Sequence, residues 1–233
     1  MKKRAMAAVS AVMCASMVLS ACGSSASTST TAAPAETKAE ETTAAAASGD
    51  VVTINIGFEN TTEEPIGQAV EKWAELLKEE SNGTMELKVF ANSALGNKSK
   101  LIDQMVMGEN VITIADGAFY ADYGVPDLGI LYGPFFFDNW DEVWKLIDSD
   151  WYKEQCSKLA DKGLTVLGSN WVYGERELMT KDKAVVPADI KGKKIRLANS
   201  QIYVEGFNAL GATAVPMALG DVYTALQLSL IHI

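Results

Sequence analysis

From Val51 onward the apolar positions switch repeatedly between a strand period and a helix period. Val51 to Phe58 is rich in aliphatic residues and predicts a β-strand. Ile66, Ala69, Val70, Trp73, Leu76 and Leu77 then recur at the three-four-seven spacing of one helix face, and Ser81-Asn82-Gly83 supplies the stop. Thr84 to Phe90 reads as a second strand. Lys98 to Met107, with Leu101 and Met105 on its apolar side and Gly108 after it, reads as a second helix, and Val111 to Ala115 as a third strand. A βαβαβ order predicts a parallel or mixed sheet wrapped by helices, the α/β class.

The middle of the chain is punctuated by Pro126, Gly129, Gly133 and Pro134, and carries the aromatic run Phe135-Phe136-Phe137. Helical patterns follow over Asp141 to Asp148 and Trp151 to Lys162, then an expected strand from Leu164 to Leu167. Beyond Trp171 the composition changes. A strand is expected over Glu175 to Thr180, then a polar Lys181-Asp182-Lys183 turn and Pro187-Ala188-Asp189-Ile190-Lys191-Gly192. A further strand holds Arg196, a helix runs to Leu210, a short strand lies near Thr213 to Val215, and a last helix opens at Gly220-Asp221. The pattern divides into a first α/β lobe over residues 50–173 and a partial second lobe over 174–233. Core or hinge packing is the expected role of Phe135 to Phe137, Trp140 and Trp144.

The first 49 residues have a different character. Lys2, Lys3 and Arg4 precede an apolar run from Ala5 to Leu19 that is too short to span a bilayer comfortably and fits an export signal. Leu19-Ser20-Ala21-Cys22 resembles a bacterial lipobox, so residues 1–22 are expected to be a lipoprotein signal peptide with Cys22 as the lipidated residue. Gly23 to Gly49 contains only Gly, Ala, Ser, Thr, Pro, Glu and Lys, which cannot form a core and predicts a disordered tether. These features place the folded part on the extracytoplasmic face of a membrane, anchored to it without crossing it. Of three cysteines only Cys156 lies in the body, so no internal disulfide is possible there and a buried small apolar side chain is expected.

Charge narrows the function. Three of the 20 Lys+Arg lie in the signal, leaving 17 against 30 Asp+Glu, a net charge of −13. Nucleic acid is therefore an unsuitable partner. Fifteen of those 17 cations are lysines; only Arg176 and Arg196 remain where a planar, bidentate fork is needed. In Lys193 to Tyr203, strand alternation puts Lys194, Arg196 and Ala198 on one face and Ile195 and Leu197 on the other, with Asn199 and Ser200 placed to cap the following helix. A guanidinium beside a helix N-terminus suits a carboxylate. The sole histidine, His232, is next to the last residue, and there is no Gly-x-Ser-x-Gly, phosphate-cradling glycine loop or CxxC pair. Glu63-Glu64 and Glu79-Glu80 read as solvated surface. No catalysis, metal or cofactor is expected.

Several stretches resemble, in order, the signature of the TRAP-transporter solute receptors of the DctP type. They are Ser81-Asn82-Gly83 with Asn92-Ser93-Ala94-Leu95-Gly96, Pro134 to Phe137, Gly174-Glu175-Arg176, Pro187 to Arg196, Leu210 to Met217, and Asp221 to Gln227. The resemblance implies a two-lobe periplasmic-binding-protein (Venus-flytrap) fold that closes on a small organic acid, such as a dicarboxylate, and delivers it to the membrane subunits of an ion-coupled transporter. It also implies a monomeric, extracytoplasmic receptor. By position, Arg196 corresponds to the main partner of the ligand carboxylate, Arg176 to a helper, and Asn199 to a nearby polar contact. Glu59 and Asp116 correspond to first-lobe positions facing the cleft. The pattern departs from the family at Val111, where an acidic residue is usual, and at Leu219, where an aromatic is common. The resemblance ends at Gln227, before a glycine-rich ligand-binding element, so the second lobe is expected to be incomplete, with Leu228 to Ile233 not native and the full receptor continuing beyond. Two rivals are a lipoprotein receptor of an ABC importer for amino acids or sugars, which shares the lipobox and the two-lobe plan, and a secreted hydrolase, which the missing nucleophile–base constellation disfavours.

Overall fold

The computed structural model describes residues 50–231. Strand β1 (Val52–Gly57) is the centre of a three-stranded sheet ordered β2–β1–β3, with β2 (Met85–Phe90) and β3 (Val111–Thr113) both parallel to it. Val52 faces Met85 and Gly57 faces Phe90, while Asn55 faces Val111. Parallel neighbours need crossovers, supplied by α1 (Pro65–Glu80) and α2 (Lys98–Val106). Pro65 opens α1, where its missing N–H costs nothing. The helix ends where Asn82 (φ 52°) and Gly83 (φ 78°) turn left-handed and Gly83 N–H donates to the Lys78 carbonyl at 2.8 Å. Ile56, Phe58, Val70 and Leu87 are buried together, with Trp73 and Leu77 packed against them.

A second cluster continues the first lobe. It joins Ile102 of α2, Phe119 of α3 (Gly117–Asp122), Val125, and Leu128 of the 3-10 turn Pro126–Tyr132. Helix α4 (Trp140–Ile147) buries no residue, and its Trp140 and Trp144 stack on each other at 5.9 Å. Helix α5 (Asp150–Ala160) adds Tyr152 and Leu159 to the cluster, with Leu164 beyond it and half-buried Cys156 packed alongside. The aromatic run departs from the expected packing role: Phe135 is 97% exposed at φ 57°, on the tip of a turn closed by Phe136 N–H to the Gly133 carbonyl at 3.2 Å. The turn that follows Pro134 projects that ring outward, and Phe136 meets Phe137 edge-on at 4.9 Å.

The second sheet pairs β4 (Lys194–Leu197) in parallel with β5 (Thr213–Pro216), Arg196 facing Val215, through the crossover helix α6 (Gln201–Ala209). Ile195 and Leu197 are buried with Ile190 and Ala212, against Tyr203 and Phe207, so the alternation read from sequence is realised. A short helix α7 (Val222–Gln227) follows. The strands expected at Leu164 to Leu167 and Glu175 to Thr180 are irregular. A strand exists only with a neighbour to take its backbone hydrogen bonds, and neither stretch has one among the described residues. The segment instead lies against the first lobe: Trp171 meets Trp73 edge-on at 5.8 Å, and the Asn60 amide donates to the Tyr173 hydroxyl at 2.8 Å.

Two bonds tie the second sheet's helix to the first lobe. The buried Ser200 hydroxyl donates to the Ala118 carbonyl at 2.9 Å, and Gln201 N–H donates to Asp122 Oδ2 at 3.2 Å. Ser200 occupies the N-cap position of α6, as expected, but its side chain does not cap. Its hydroxyl reaches across to the first lobe instead, while Asp122 takes the Gln201 N–H. The signal peptide, the tether and Cys22 lie outside the described residues.

Candidate functional site

Parallel strands place their following loops at one edge, and in α/β folds ligand sites gather at the carboxyl ends of strands. Here Glu59 lies just past β1, Asn97 and Lys98 past β2, Asp116 past β3, Arg196 near the end of β4, and Met217 past β5. The loop after β2 is set by left-handed Asn92 (φ 54°) and Ser93 (φ 57°), whose N–H groups donate to the carbonyls of Asn60 at 2.9 Å and Phe58 at 3.0 Å. That fixes the start of α2, where the Asn97 side chain caps the Lys100 N–H at 3.0 Å.

A small cavity opens at this edge, with Glu59, Lys98, Phe119, Arg196, Asn199 and Met217 among its lining residues. Arg196 comes from the second sheet; Glu59, Lys98 and Phe119 come from the first lobe. The Met217 carbonyl accepts from Arg196 Nε at 3.0 Å and Nη2 at 2.6 Å. One edge of the guanidinium is thus pinned to the backbone, which leaves the Nη1–Nη2 edge without a protein partner among the described residues. Burial lowers the Arg196 pKa; Glu59 partly opposes this and Arg176 adds to it. A cation held in that condition is short of counter-charge and favours an anion.

Arg176 and Asp116 stand beside the cavity. Arg176 Nη2 lies 3.7 Å from Asp116 Oδ2, and the guanidinium packs over the rings of Tyr132 at 5.5 Å and Tyr203 at 5.1 Å. Burial works against the Arg176 charge, but Tyr203, Asp116 and Tyr132 outweigh it and its pKa rises. Burial also pushes the Tyr132 phenol up to about 12. Among the described residues the buried Tyr203 hydroxyl has no hydrogen-bond partner. Asp116 caps α3 by accepting from Ala118 N–H at 3.2 Å, so the same carboxylate orders a helix and faces two cations, Arg176 and Lys98.

The five residues read from sequence therefore separate into two groups. Glu59, Arg196 and Asn199 line the cavity; Arg176 and Asp116 pair with each other at its flank. Lys98 was not foreseen. One among fifteen lysines carries no compositional signal, but a cation at the first position of a helix opposes the helix dipole, and that misplacement was visible in the sequence.

The geometry agrees with what the chain resembles. The model of the family described as bacterial extracellular solute-binding protein, family 7 (DctP) matches residues 56–231. A solute-binding protein of Chromohalobacter salexigens is 31% identical over 176 residues, covering 72% of this chain and 49% of that protein. The 2,3-diketo-L-gulonate-binding periplasmic protein YiaO of Escherichia coli is 32% identical over 177 residues, covering 75% of this chain and 53% of that protein. Among solved structures, a TRAP periplasmic solute-binding protein from Ochrobacterium anthropi with bound L-fuconate superposes with a TM-score of 0.75 at 38% identity, covering 78% of this chain and 60% of that one. The chain thus spans about half the length of the curated relatives it matches. With the family model covering more than half of its length, the chain belongs to the DctP family of bacterial extracellular solute-binding proteins.

Proposed function

We propose that this chain captures a small organic acid between its two sheets as part of an extracytoplasmic receptor serving a TRAP-type ion-coupled transporter. The observation that carries the reading is Arg196. Its guanidinium is oriented by the Met217 carbonyl, kept short of counter-charge by burial, and lined up with groups from the other lobe. Glu59 and Asn199 would take the hydroxyls of the acid, and Asp116 would hold Arg176 in reserve at the rim. Binding requires no bond to be made or broken; the work is orientation of the carboxylate and closure of the lobes on it. The relatives support an acid with hydroxyls, since their names record 2,3-diketo-L-gulonate and L-fuconate.

The lipid on Cys22 belongs to the same proposal. Cys22→Ala should release the protein from membranes, and an alanine variant that stays membrane-bound after a high-salt wash contradicts the anchor.

A thermal-shift screen of organic acids and neutral sugars on the full-length gene product tests the receptor. An acid at a hundred times its Kd adds about 2.7 kcal/mol of stability and raises the melting midpoint by several degrees. Neutral sugars should leave the midpoint in place. Equal shifts from neutral sugars, or no shift from any acid, would contradict the proposal.

A further inference from the structure

We infer that Tyr203 is a positioning residue: its ring sets the orientation of the Arg176 guanidinium, and through it the second arginine's hold on the ligand. The inference rests on the receptor reading above and deepens it.

Arg176 comes from a stretch without regular structure, so its side chain is located by what it touches. Its carboxylate partner, Asp116 Oδ2, lies 3.7 Å away, beyond the range of a hydrogen bond. That carboxylate also pairs with Lys98 and accepts the Ala118 N–H. Attraction at such a distance draws the charge in without fixing which way the fork turns. Two rings supply the direction. Tyr132 and Tyr203 meet at 89° with 5.8 Å between their centres. The guanidinium carbon lies over both, 5.5 Å from the centre of the Tyr132 ring and 5.1 Å from that of Tyr203. Tyr132 belongs to the first lobe and Tyr203 to α6, so the corner forms where α6 seats against the 3-10 turn. The Ser200 hydroxyl on the Ala118 carbonyl makes that seat, and a Cβ on Gly129 would already lie 3.3 Å from Ile202 Cδ1. With no hydrogen-bond partner for its buried hydroxyl among the described residues, Tyr203 meets Arg176 through its ring. Arg176 in turn is close enough to Arg196 to disfavour its charge, so an anion held by Arg196 is stabilised by both cations.

A double-mutant cycle on the full-length gene product tests this, read by calorimetry with whichever of L-fuconate, galactonate and succinate binds wild type most tightly. Tyr203→Leu, which keeps an apolar side chain against the second sheet, should weaken binding about fivefold or more, the scale of one cation–π contact. Arg176→Gln should weaken binding too. Tyr203→Leu added to Arg176→Gln should then change Kd by less than about twofold, because the group it positions is gone. Tyr203→Phe, which keeps the ring, should bind as wild type does. An equal loss from Tyr203→Leu in both backgrounds makes Tyr203 merely structural and overturns the inference. So does undiminished binding by Tyr203→Leu or by Arg176→Gln. A loss in Tyr203→Phe assigns the role to the hydroxyl and overturns it as well. In each of these cases wild type still binds an acid, and the receptor reading stands. Should Tyr203→Leu fail to fold, Tyr203→Met takes its place in the cycle. If none of the three acids binds wild type, the receptor reading falls, and the inference with it.

Discussion

At the residue scale, the side chains that matter are those whose charge is mismatched to their surroundings. Arg196 was legible because strand alternation and the scarcity of arginine both singled it out; its orientation by Met217 was not, since that carbonyl lies 21 positions away and meets it only after β4 and β5 pair. Two carboxylates show the opposite condition, a charge well provided for. Glu64, read as solvated surface, accepts from Thr61 N–H at 3.0 Å and from the Asn60 amide at 2.7 Å, and these bonds hold its pKa below the usual range against a small opposing effect of burial. Asp189 accepts from Val185 N–H at 2.7 Å and Val186 N–H at 3.1 Å, with the same consequence. A folded pKa below the unfolded one means that the stabilisation is complete above the unfolded pKa and is lost as pH falls through the folded one. The contribution should therefore be fully present at neutral pH and decline in acid below about 4, the ordinary carboxylate range. Thermal melts of wild type and Asp189→Asn across pH 3 to 7 check this: the difference in midpoint should shrink toward pH 3, and a difference that grows in acid contradicts the assignment.

At the element scale, the helices and the paired strands were readable because each carries its own period and stop signal, as at Ser81-Asn82-Gly83. The unpaired stretches at Leu164 to Leu167 and Glu175 to Thr180 were misread because strand propensity says nothing about whether a partner strand is available. The exposed Phe135 was misread for a related reason: composition predicts burial, but the turn after Pro134 decides where a ring points. One close approach determines the seat of Asp116. A Cβ on Gly117 would lie 2.3 Å from the Leu128 carbonyl oxygen, so α3 sits against the 3-10 turn Pro126–Tyr132 only because that residue is glycine. Gly117→Ala should force backbone to shift and cost about 1–3 kcal/mol. Denaturant unfolding of the full-length gene product would show it, and a midpoint equal to wild type would mean that the contact relaxes freely.

At the scale of the whole molecule, the candidate site exists only because two sheets present their carboxyl ends to one cavity. The helix α6 is held to the first lobe by the Ser200 bond to the Ala118 carbonyl and by Asp122 on the Gln201 N–H. Sequence suggested the two halves but not these ties, because a serine before a helix reads as its own cap and its partner lies 82 positions away. Ser200→Ala removes one donor from the Ala118 carbonyl, which keeps its bond within α3, and should cost about 0.5–1.5 kcal/mol, measured as a lower midpoint in denaturant; an unchanged midpoint would remove the bond from the list of ties. The claim on which function depends is narrower, that Arg196 holds the ligand carboxylate. Calorimetric titration of the acid giving the largest thermal shift, into wild type and Arg196→Lys, tests it most directly. Lysine keeps the charge and loses the fork, so the fold measured by circular dichroism should be unchanged while binding weakens by about 1.5–3 kcal/mol, more than tenfold in Kd. Equal Kd values for the two proteins would return Arg196 to the role of a surface charge.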